Sequence, residues 1–156
     1  KIHEATDVIY HLMVYLEANN IKIEDVMEEL KKRQKLMSYD KNNIFAKILR
    51  GEIPCKKVYE NEYVLSFYDI NPQKKIHVLV ISKGEYVDLD DFANKASDKE
   101  IVEFNKAITL IVKMLKISNQ ENGYRVLSNI GRDGGQEVPH LHYHIFGGEK
   151  IGKMVV

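Results

Sequence analysis

Hydrophobic residues recur at helical spacing in two short runs at the start of the chain. The first run lies before Asn19-Asn20 and the second after it, a pattern that predicts two helices joined by a turn. The apolar positions are Val8, Ile9, Leu12, Met13, Tyr15 and Leu16, then Ile23, Val26, Met27 and Leu30. Two amphipathic helices cannot bury their apolar faces alone. We therefore expect a helical hairpin that needs a partner surface.

The pattern changes after the polar segment from Asp40 to Asn43. That segment predicts an N-cap for a short helix carrying Ile44, Phe45, Ile48 and Leu49, with Gly51 and Pro54 ending it. A longer helix is predicted over residues 99–117. Strands are predicted over residues 57–59, 63–68, 76–82, 124–130 and 138–146. Five strands with helices kept apart from them indicate an α+β domain with a five-stranded antiparallel sheet.

Charge and cysteine content limit the classes of partner molecule and the cellular compartment that we expect. The 156 residues contain 23 Lys plus Arg and 23 Asp plus Glu, so no net field favours nucleic acid or an anionic membrane surface. Cys55 is the single cysteine, which rules out an intrachain disulfide and favours a reducing, cytoplasmic location. No apolar run approaches the length of a membrane span. We expect neither a nucleic acid nor a membrane as partner.

Half of the six histidines lie within five residues. His140, His142 and His144 alternate with Leu141, Tyr143 and Ile145. On a strand this alternation places the three imidazoles on one face and the apolar side chains on the other. A plain polar strand face would also show alternation, but buried imidazoles are costly without partners. The pattern therefore favours a functional site.

Two kinds of chemistry fit a row of imidazoles. Neutral imidazole is a common metal ligand, although no Asp or Glu follows at a ligand position. Neutral imidazole is also a good nucleophile and leaving group, suited to covalent catalysis at phosphorus. Gly131, Gly134 and Gly135 would let backbone N–H groups approach an anion, and Asn129 could add an amide donor. The metal interpretation does not explain the glycines.

The pattern His-φ-His-φ-His-φ-φ, in which φ is apolar, resembles the signature of the histidine triad superfamily. The flanking Gly134-Gly135-Gln136-Glu137-Val138 and Gly147-Gly148 are similar to its bacterial nucleotide-binding branch. The resemblance extends over about residues 43–150. It includes segments at residues 44–45, 50–54, 67–72 and 77–80.

The resemblance implies a role for each matching residue. His142 would attack the α-phosphorus and form a nucleotidyl-histidine, with His140, His144 and His77 binding and polarising the phosphate. Asn129 would contact the scissile region, and Asp69 would accept both ribose hydroxyls, as two carboxylate oxygens can. The remaining expected nucleotide-binding residues are Ile44, Phe45, Ile48, Phe67, Tyr68, Ile70, Gly135, Gln136, Glu137 and Val138.

The same resemblance implies a hydrolase of purine nucleotides, most simply a purine nucleoside phosphoramidase acting on substrates such as adenosine 5′-monophosphoramidate. The alternatives are a dinucleoside polyphosphate hydrolase and a regulatory nucleotide-binding module with little catalysis. Relatives are homodimers, so a homodimer is expected. Many relatives hold structural zinc through two cysteines near Asn43 and Ala46, which this chain lacks. We therefore expect no metal and no cofactor.

Residues 4–36 resemble the C-terminal helices of phosphoribosyl-ATP pyrophosphohydrolase. Glu4 and Asp7 match part of that family's magnesium site, but the upstream acidic helix is missing, and two carboxylates alone bind magnesium weakly. We expect no pyrophosphohydrolase activity. The resemblance divides the chain into a helical hairpin over residues 1–36 and a histidine triad domain over residues 37–156. Met37 would be a natural start for the second domain, as in a fusion or read-through product.

Overall fold

The computed structural model describes residues 1–36 and 39–153, with the backbone alone over residues 31–36. The chain divides into two compact units, Lys1–Ser38 and Tyr39–Val156. Met37, the expected start of the second domain, lies outside the described residues.

The first unit is a helical hairpin, as the pattern predicted. Helix α1 spans Ile2–Ala18 and helix α2 spans Ile23–Leu36. The side-chain amide of Asn19 donates to the Tyr15 carbonyl at 2.7 Å, and Asn20 takes a positive φ of 53°, a conformation that asparagine tolerates in turns. Several apolar side chains of α1 are exposed, among them Val8, Ile9, Tyr10 and Met13.

The second unit is an α+β domain built on one antiparallel sheet, which confirms the predicted fold class. Its helices are α3 (Ile44–Leu49), α4 (Leu89–Lys95) and α5 (Asp98–Met114). Its strands are β1 (Lys57–Glu60), β2 (Val64–Tyr68), β3 (Ile76–Ser82), β4 (Arg125–Leu127) and β5 (His142–Gly147). The strand order is β1-β2-β3-β5-β4, and neighbouring strands pair antiparallel throughout.

Helix α5 supplies the main hydrophobic core of this unit. Ser97 and Glu100 form a capping box at its N-terminus, which satisfies backbone N–H groups that the helix itself leaves unpaired. Its apolar stripe is buried with residues of β2, β3 and β5 in a cluster that includes Phe104, Ile108, Ile111, Val78, Val80 and Ile145. Because side chains alternate between the two faces of a pleated strand, every second side chain of β3 and β5 points into this core.

A smaller apolar cluster contains the alternate residues of strands β2 and β3. Leu65, Phe67, Leu79 and Ile81 pack with Phe45 of α3. Asn43 is the N-cap of helix α3, and its side-chain oxygen accepts a hydrogen bond from the Ala46 N–H at 2.9 Å. This cap is the one expected from the sequence, and it holds Phe45 against the cluster.

The predicted elements differ from the observed ones at several ends, and helix α5 stops at Met114 rather than at residue 117. Strand β5 begins at His142 rather than at residue 138, because Pro139 has no N–H for a sheet ladder and the Leu141 N–H donates instead to the Tyr86 carbonyl at 2.7 Å. Strand β4 is limited to residues 125–127. Helix α4 was not predicted, although Asp88 caps it by accepting from the Asp91 N–H at 2.9 Å.

Within residues 1–36 and 39–153, no helix has both the length and the apolar character that a membrane-spanning helix requires.

We expect Ile111→Ala to destabilise the domain because Ile111 is fully buried in the α5 core. The loss should be about 2–5 kcal/mol of unfolding free energy, measured by urea denaturation. The matched control is Thr109→Ala, an exposed position of the same helix, which should change the free energy by less than about 0.5 kcal/mol. Equal losses in the two variants would contradict this packing of α5.

Candidate active site

The register between β3 and β5 brings distant histidines together. In this antiparallel pair, His77 lies opposite Phe146, Leu79 opposite His144 and Ile81 opposite His142. Residues directly opposite in an antiparallel pair share one face of the sheet. His77 therefore lies on the same face as His142 and His144, and its Nε2 is 2.9 Å from Nδ1 of His144.

His142 is held in one tautomer by a backbone carbonyl. Its Nδ1 lies 2.6 Å from the carbonyl oxygen of His140, and a carbonyl can only accept, so Nδ1 carries the hydrogen and donates it. Burial lowers the pKa of His142, although its bond to the His140 carbonyl and the charges of Asp69 and Glu137 oppose the shift. The ring is then neutral near pH 7, and Nε2 keeps its lone pair.

His77 and His144 form a second ordered pair. The Gln73 N–H donates to Nδ1 of His77 at 3.3 Å, which leaves the hydrogen of neutral His77 on Nε2, directed at Nδ1 of His144. His144 consequently carries its own hydrogen on Nε2. Burial, reinforced by His142 and His77, lowers the pKa of His144 to about 4. The pair therefore offers an N–H donor beside the ring of His142, whose centroid lies 5.1 Å from that of His144.

These imidazoles border a cleft of about 410 Å³, within the usual range for sites that bind small molecules. Its lining is Phe45, Asp69, Asn71, Gln73, His77, Leu79, Asn129, Gly135, Glu137, Val138, His142 and His144. The ring of Phe45 lies edge-on to His142, with the centroids 5.1 Å apart. The cleft thus combines imidazoles, amides and carboxylates with one apolar wall.

A second cavity of about 680 Å³ shares several lining residues with the cleft, including Phe45, Asp69 and Val138. The residues that line only this second cavity are mostly apolar: Ile44, Ile48, Ile53, Pro54, Cys55, Phe67 and Ile70, with Lys56 and Tyr68. An apolar slot that continues into a polar cleft suits a flat base attached to a sugar phosphate.

Asp69 stands where the two cavities meet. It directly follows β2, and one carboxylate oxygen accepts from the Asn71 N–H at 2.8 Å. The other oxygen lies 3.5 Å from Nε2 of His77. A carboxylate has about four acceptor positions, so further donors can be accommodated.

The glycine-rich loop has a backbone that larger residues would disrupt. A Cβ at Gly134 would lie 2.2 Å from the Ile130 carbonyl oxygen, and Gly135 has a φ of +72°, which favours glycine. The side chain of Gln136 stabilises the loop through hydrogen bonds. Its side-chain oxygen accepts from the Gly131 N–H at 2.9 Å, and its side-chain amide donates to the Val87 carbonyl at 2.7 Å.

All but two of the residues predicted for the site line one cavity or the other. The exceptions are His140 and Gln136. Both ring nitrogens of His140 have protein partners, Tyr39 and Ser82, so the expected contact of its ring with phosphate has no support in this geometry. The side chain of Gln136 is bonded instead to the Gly131 N–H of its own loop and to the Val87 carbonyl.

Several residues that line the two cavities were not predicted from the sequence. Asn71 and Gln73 reach the cleft because the turn after Asp69 folds back on His77, and the only signal was their place beside Pro72. Pro54, Cys55 and Lys56 reach the apolar slot through the segment that leads into β1.

A metal site at the same place was the other open interpretation. Within residues 1–36 and 39–153, Asp69, His77 and His144 offer ligand atoms within 4.8 Å of one another. To ligate through Nε2, His77 would have to move its proton to Nδ1, where it would face the Gln73 N–H donor. This donor set therefore fits a hydrogen-bonded pair better than a metal.

The fold and the site together define an α+β protein whose cleft is lined by histidines, one of which has a neutral ring with an unprotonated Nε2. Residues 50–151 match the HIT domain family, and the chain belongs to that family. An uncharacterized 13.2 kDa HIT-like protein in the hisE 3′ region of Azospirillum brasilense is 53% identical over 118 residues, covering 76% of this chain and 95% of that protein. The purine nucleoside phosphoramidase of Escherichia coli K12 is 38% identical over 113 residues, covering 72% and 92%.

Solved structures agree with this assignment. A histidine triad protein from Clostridium difficile is 44% identical with a TM-score of 0.62, covering 70% of this chain and 93% of that one. A HIT family hydrolase from Clostridium thermocellum is 32% identical with a TM-score of 0.64, covering 75% and 99%. Residues 1–34 separately match the phosphoribosyl-ATP pyrophosphohydrolase family, which confirms the resemblance of the hairpin.

We expect the domain to lose stability as the pH falls from about 6.5 toward 4. Burial lowers the pKa of His140 and of His144 to about 4, whereas an unfolded histidine titrates near 6.5. The unfolded chain then binds more protons in this window, so each histidine contributes a slope of up to about 1.4 kcal/mol per pH unit, with stability greater at the higher pH. Urea unfolding at pH 7, 6 and 5 measures the slope.

The variant that tests this assignment is His144→Asn, which removes one titrating group and should give a shallower slope. The control is His11→Asn, which removes an exposed histidine of helix α1 and should leave the slope unchanged. A slope that stays the same in His144→Asn would contradict a depressed pKa at this position.

Proposed function

We propose that this chain hydrolyses nucleotides at the α-phosphate through a covalent nucleotidyl-histidine at His142. The observation that carries the proposal is the hydrogen bond from Nδ1 of His142 to the His140 carbonyl. It leaves Nε2 as a lone pair in a buried ring that lines the cleft. A neutral imidazole with a free Nε2 is the form that can attack phosphorus.

In the first step, Nε2 of His142 forms a bond to phosphorus while the bond to the leaving group breaks. The imidazole becomes cationic, and its Nδ1–H bond to the His140 carbonyl then becomes charge-assisted and stronger. A leaving amine takes up a proton from solvent water as it departs. The Nε2–H of neutral His144 donates a hydrogen bond that we assign to the phosphate oxygens.

In the second step, water attacks the same phosphorus and the bond to His142 breaks. The products are a nucleoside monophosphate and an imidazole that has regained its lone pair. The proton that water loses balances the one that the leaving amine gained, so the enzyme returns to its starting state. No metal or cofactor takes part in these two reaction steps, and the absence of a bound metal or cofactor stays a prediction.

The substrate we propose is a purine nucleoside phosphoramidate. The named activity of the Escherichia coli relative, at 38% identity, supports this choice. The position of Asp69 between the apolar slot and the polar cleft supports a nucleotide with its ribose at Asp69. The purine base and a homodimeric assembly likewise stay predictions.

We expect His142→Ala to reduce turnover of adenosine 5′-monophosphoramidate by at least about a thousandfold, because it removes the nucleophile. AMP binding, measured by calorimetry, should change little, since the ribose and base contacts remain. Rapid mixing followed by intact-mass measurement should detect an added AMP group on the wild-type protein and none on the variant.

The control for this experiment is His11→Asn, an exposed histidine of the first unit, which should keep full activity. Turnover that survives in His142→Ala would overturn the nucleophile. AMP binding without any adduct or turnover in the wild type would indicate a regulatory module. Faster turnover of a diadenosine polyphosphate than of the phosphoramidate would indicate the dinucleoside polyphosphate hydrolase instead.

We expect Asp69→Ala to lower kcat/KM for the ribonucleotide by a factor of about ten to a hundred, because hydrogen bonds to a carboxylate are lost. A substrate lacking both ribose hydroxyls should be affected much less, so the variant should lose the preference for ribose. The matched control is Asp98→Ala, an exposed carboxylate in the first turn of α5. An equal effect on both substrates would remove Asp69 from the ribose site.

A further inference from the structure

His140 is anchored through both of its ring nitrogens. Its Nε2 lies 2.8 Å from the Ser82 carbonyl oxygen at the end of β3, and its Nδ1 lies 2.5 Å from the hydroxyl of Tyr39. The His140 side chain is fully buried. Tyr39 lies five residues before the start of α3 and is not among the residues predicted for the site.

The directions of these hydrogen bonds follow from their partners. The Ser82 carbonyl can only accept, so Nε2 of His140 carries the hydrogen. Burial lowers the pKa of His140 to about 4, and the neutral ring then has an acceptor at Nδ1. Burial also raises the pKa of the Tyr39 hydroxyl, which keeps its proton. Tyr39 is therefore the donor to His140.

The backbone of His140 orients the proposed nucleophile, since its carbonyl accepts the hydrogen bond from Nδ1 of His142 at 2.6 Å. A ring held at both nitrogens restricts the rotation of its residue, and with it the direction of that carbonyl. We propose that Tyr39 is a positioning residue, which locks His140 in one tautomer and so holds His142 in line for attack. This role rests on the proposed function of His142.

The segment that carries Tyr39 is itself tied to the domain. The Asn43 side chain donates to the Asp40 carbonyl at 2.7 Å, and Asp40 accepts from the Asn42 N–H at 2.9 Å. The same Asn43 caps α3, the helix whose Phe45 lies against the rings of His140 and His142. One cap therefore places both Tyr39 and Phe45 around the triad.

The test is Tyr39→Phe in the full chain, which removes the hydroxyl and keeps the ring. We expect kcat for the phosphoramidate, and the rate of adduct formation in a single turnover, to fall about tenfold with KM unchanged. Nitrogen NMR of the imidazoles should show a changed Nδ1 resonance for His140, because that atom loses its donor. The matched control, Tyr59→Phe on β1, should change neither measurement.

A second variant covers the case in which Tyr39→Phe folds poorly. A monofluorinated tyrosine at position 39 keeps the hydroxyl and makes it a stronger donor, so the His140 resonance should move in the direction opposite to that in Tyr39→Phe. An unchanged His140 resonance in both variants would overturn the hydrogen bond. A changed resonance with unchanged adduct formation would overturn the positioning role. Because NMR needs no turnover, a wild-type chain that forms no adduct would refute the proposed function separately.

Discussion

The antiparallel register of β3 with β5 is the constraint on which the site depends. It places His144 opposite Leu79 and His142 opposite Ile81, and it brings His77 diagonally across from His144. A shift by one residue would turn every one of these side chains toward the α5 core. The buried residues Val78, Val80 and Ile145 hold the register, because any slip would expose them. Core packing on one face thus determines chemistry on the other.

Backbone groups beside the imidazoles determine which ring nitrogen of each histidine carries the hydrogen. The carbonyls of His140 and Ser82 each impose a hydrogen on one ring nitrogen, and the Gln73 N–H imposes an acceptor on His77. Burial keeps the rings neutral, since a charged imidazole loses its hydration there. In this arrangement His142 keeps an unprotonated Nε2, His77 donates to His144, and His140 is held at both ring nitrogens. The three triad histidines therefore have different tasks although their sequence positions look equivalent.

Much of this domain could be predicted because its signals are local. Alternation around His142, the Asn43 cap and the apolar stripe of α5 depend on neighbouring residues, and the structure contains all three. The two ends of β5 illustrate the limit. The C-terminal half of β5 follows the predicted pattern, but the predicted start at residue 138 was wrong. The bend at Pro139 is stabilised by the hydrogen bond from the Leu141 N–H to the Tyr86 carbonyl, a partner distant in sequence.

The sequence by itself determined the two-part organisation of the elements, the family resemblance and the identity of the reactive row. It did so because periodicity, caps and motif spacing are properties of short segments. Only the tertiary structure separated His140 from the cleft, joined Tyr39 to its ring and brought Gln73 to His77. These contacts link residues as far as 101 positions apart. Such contacts are decided by how the sheet and loops pack, and no local pattern encodes that packing.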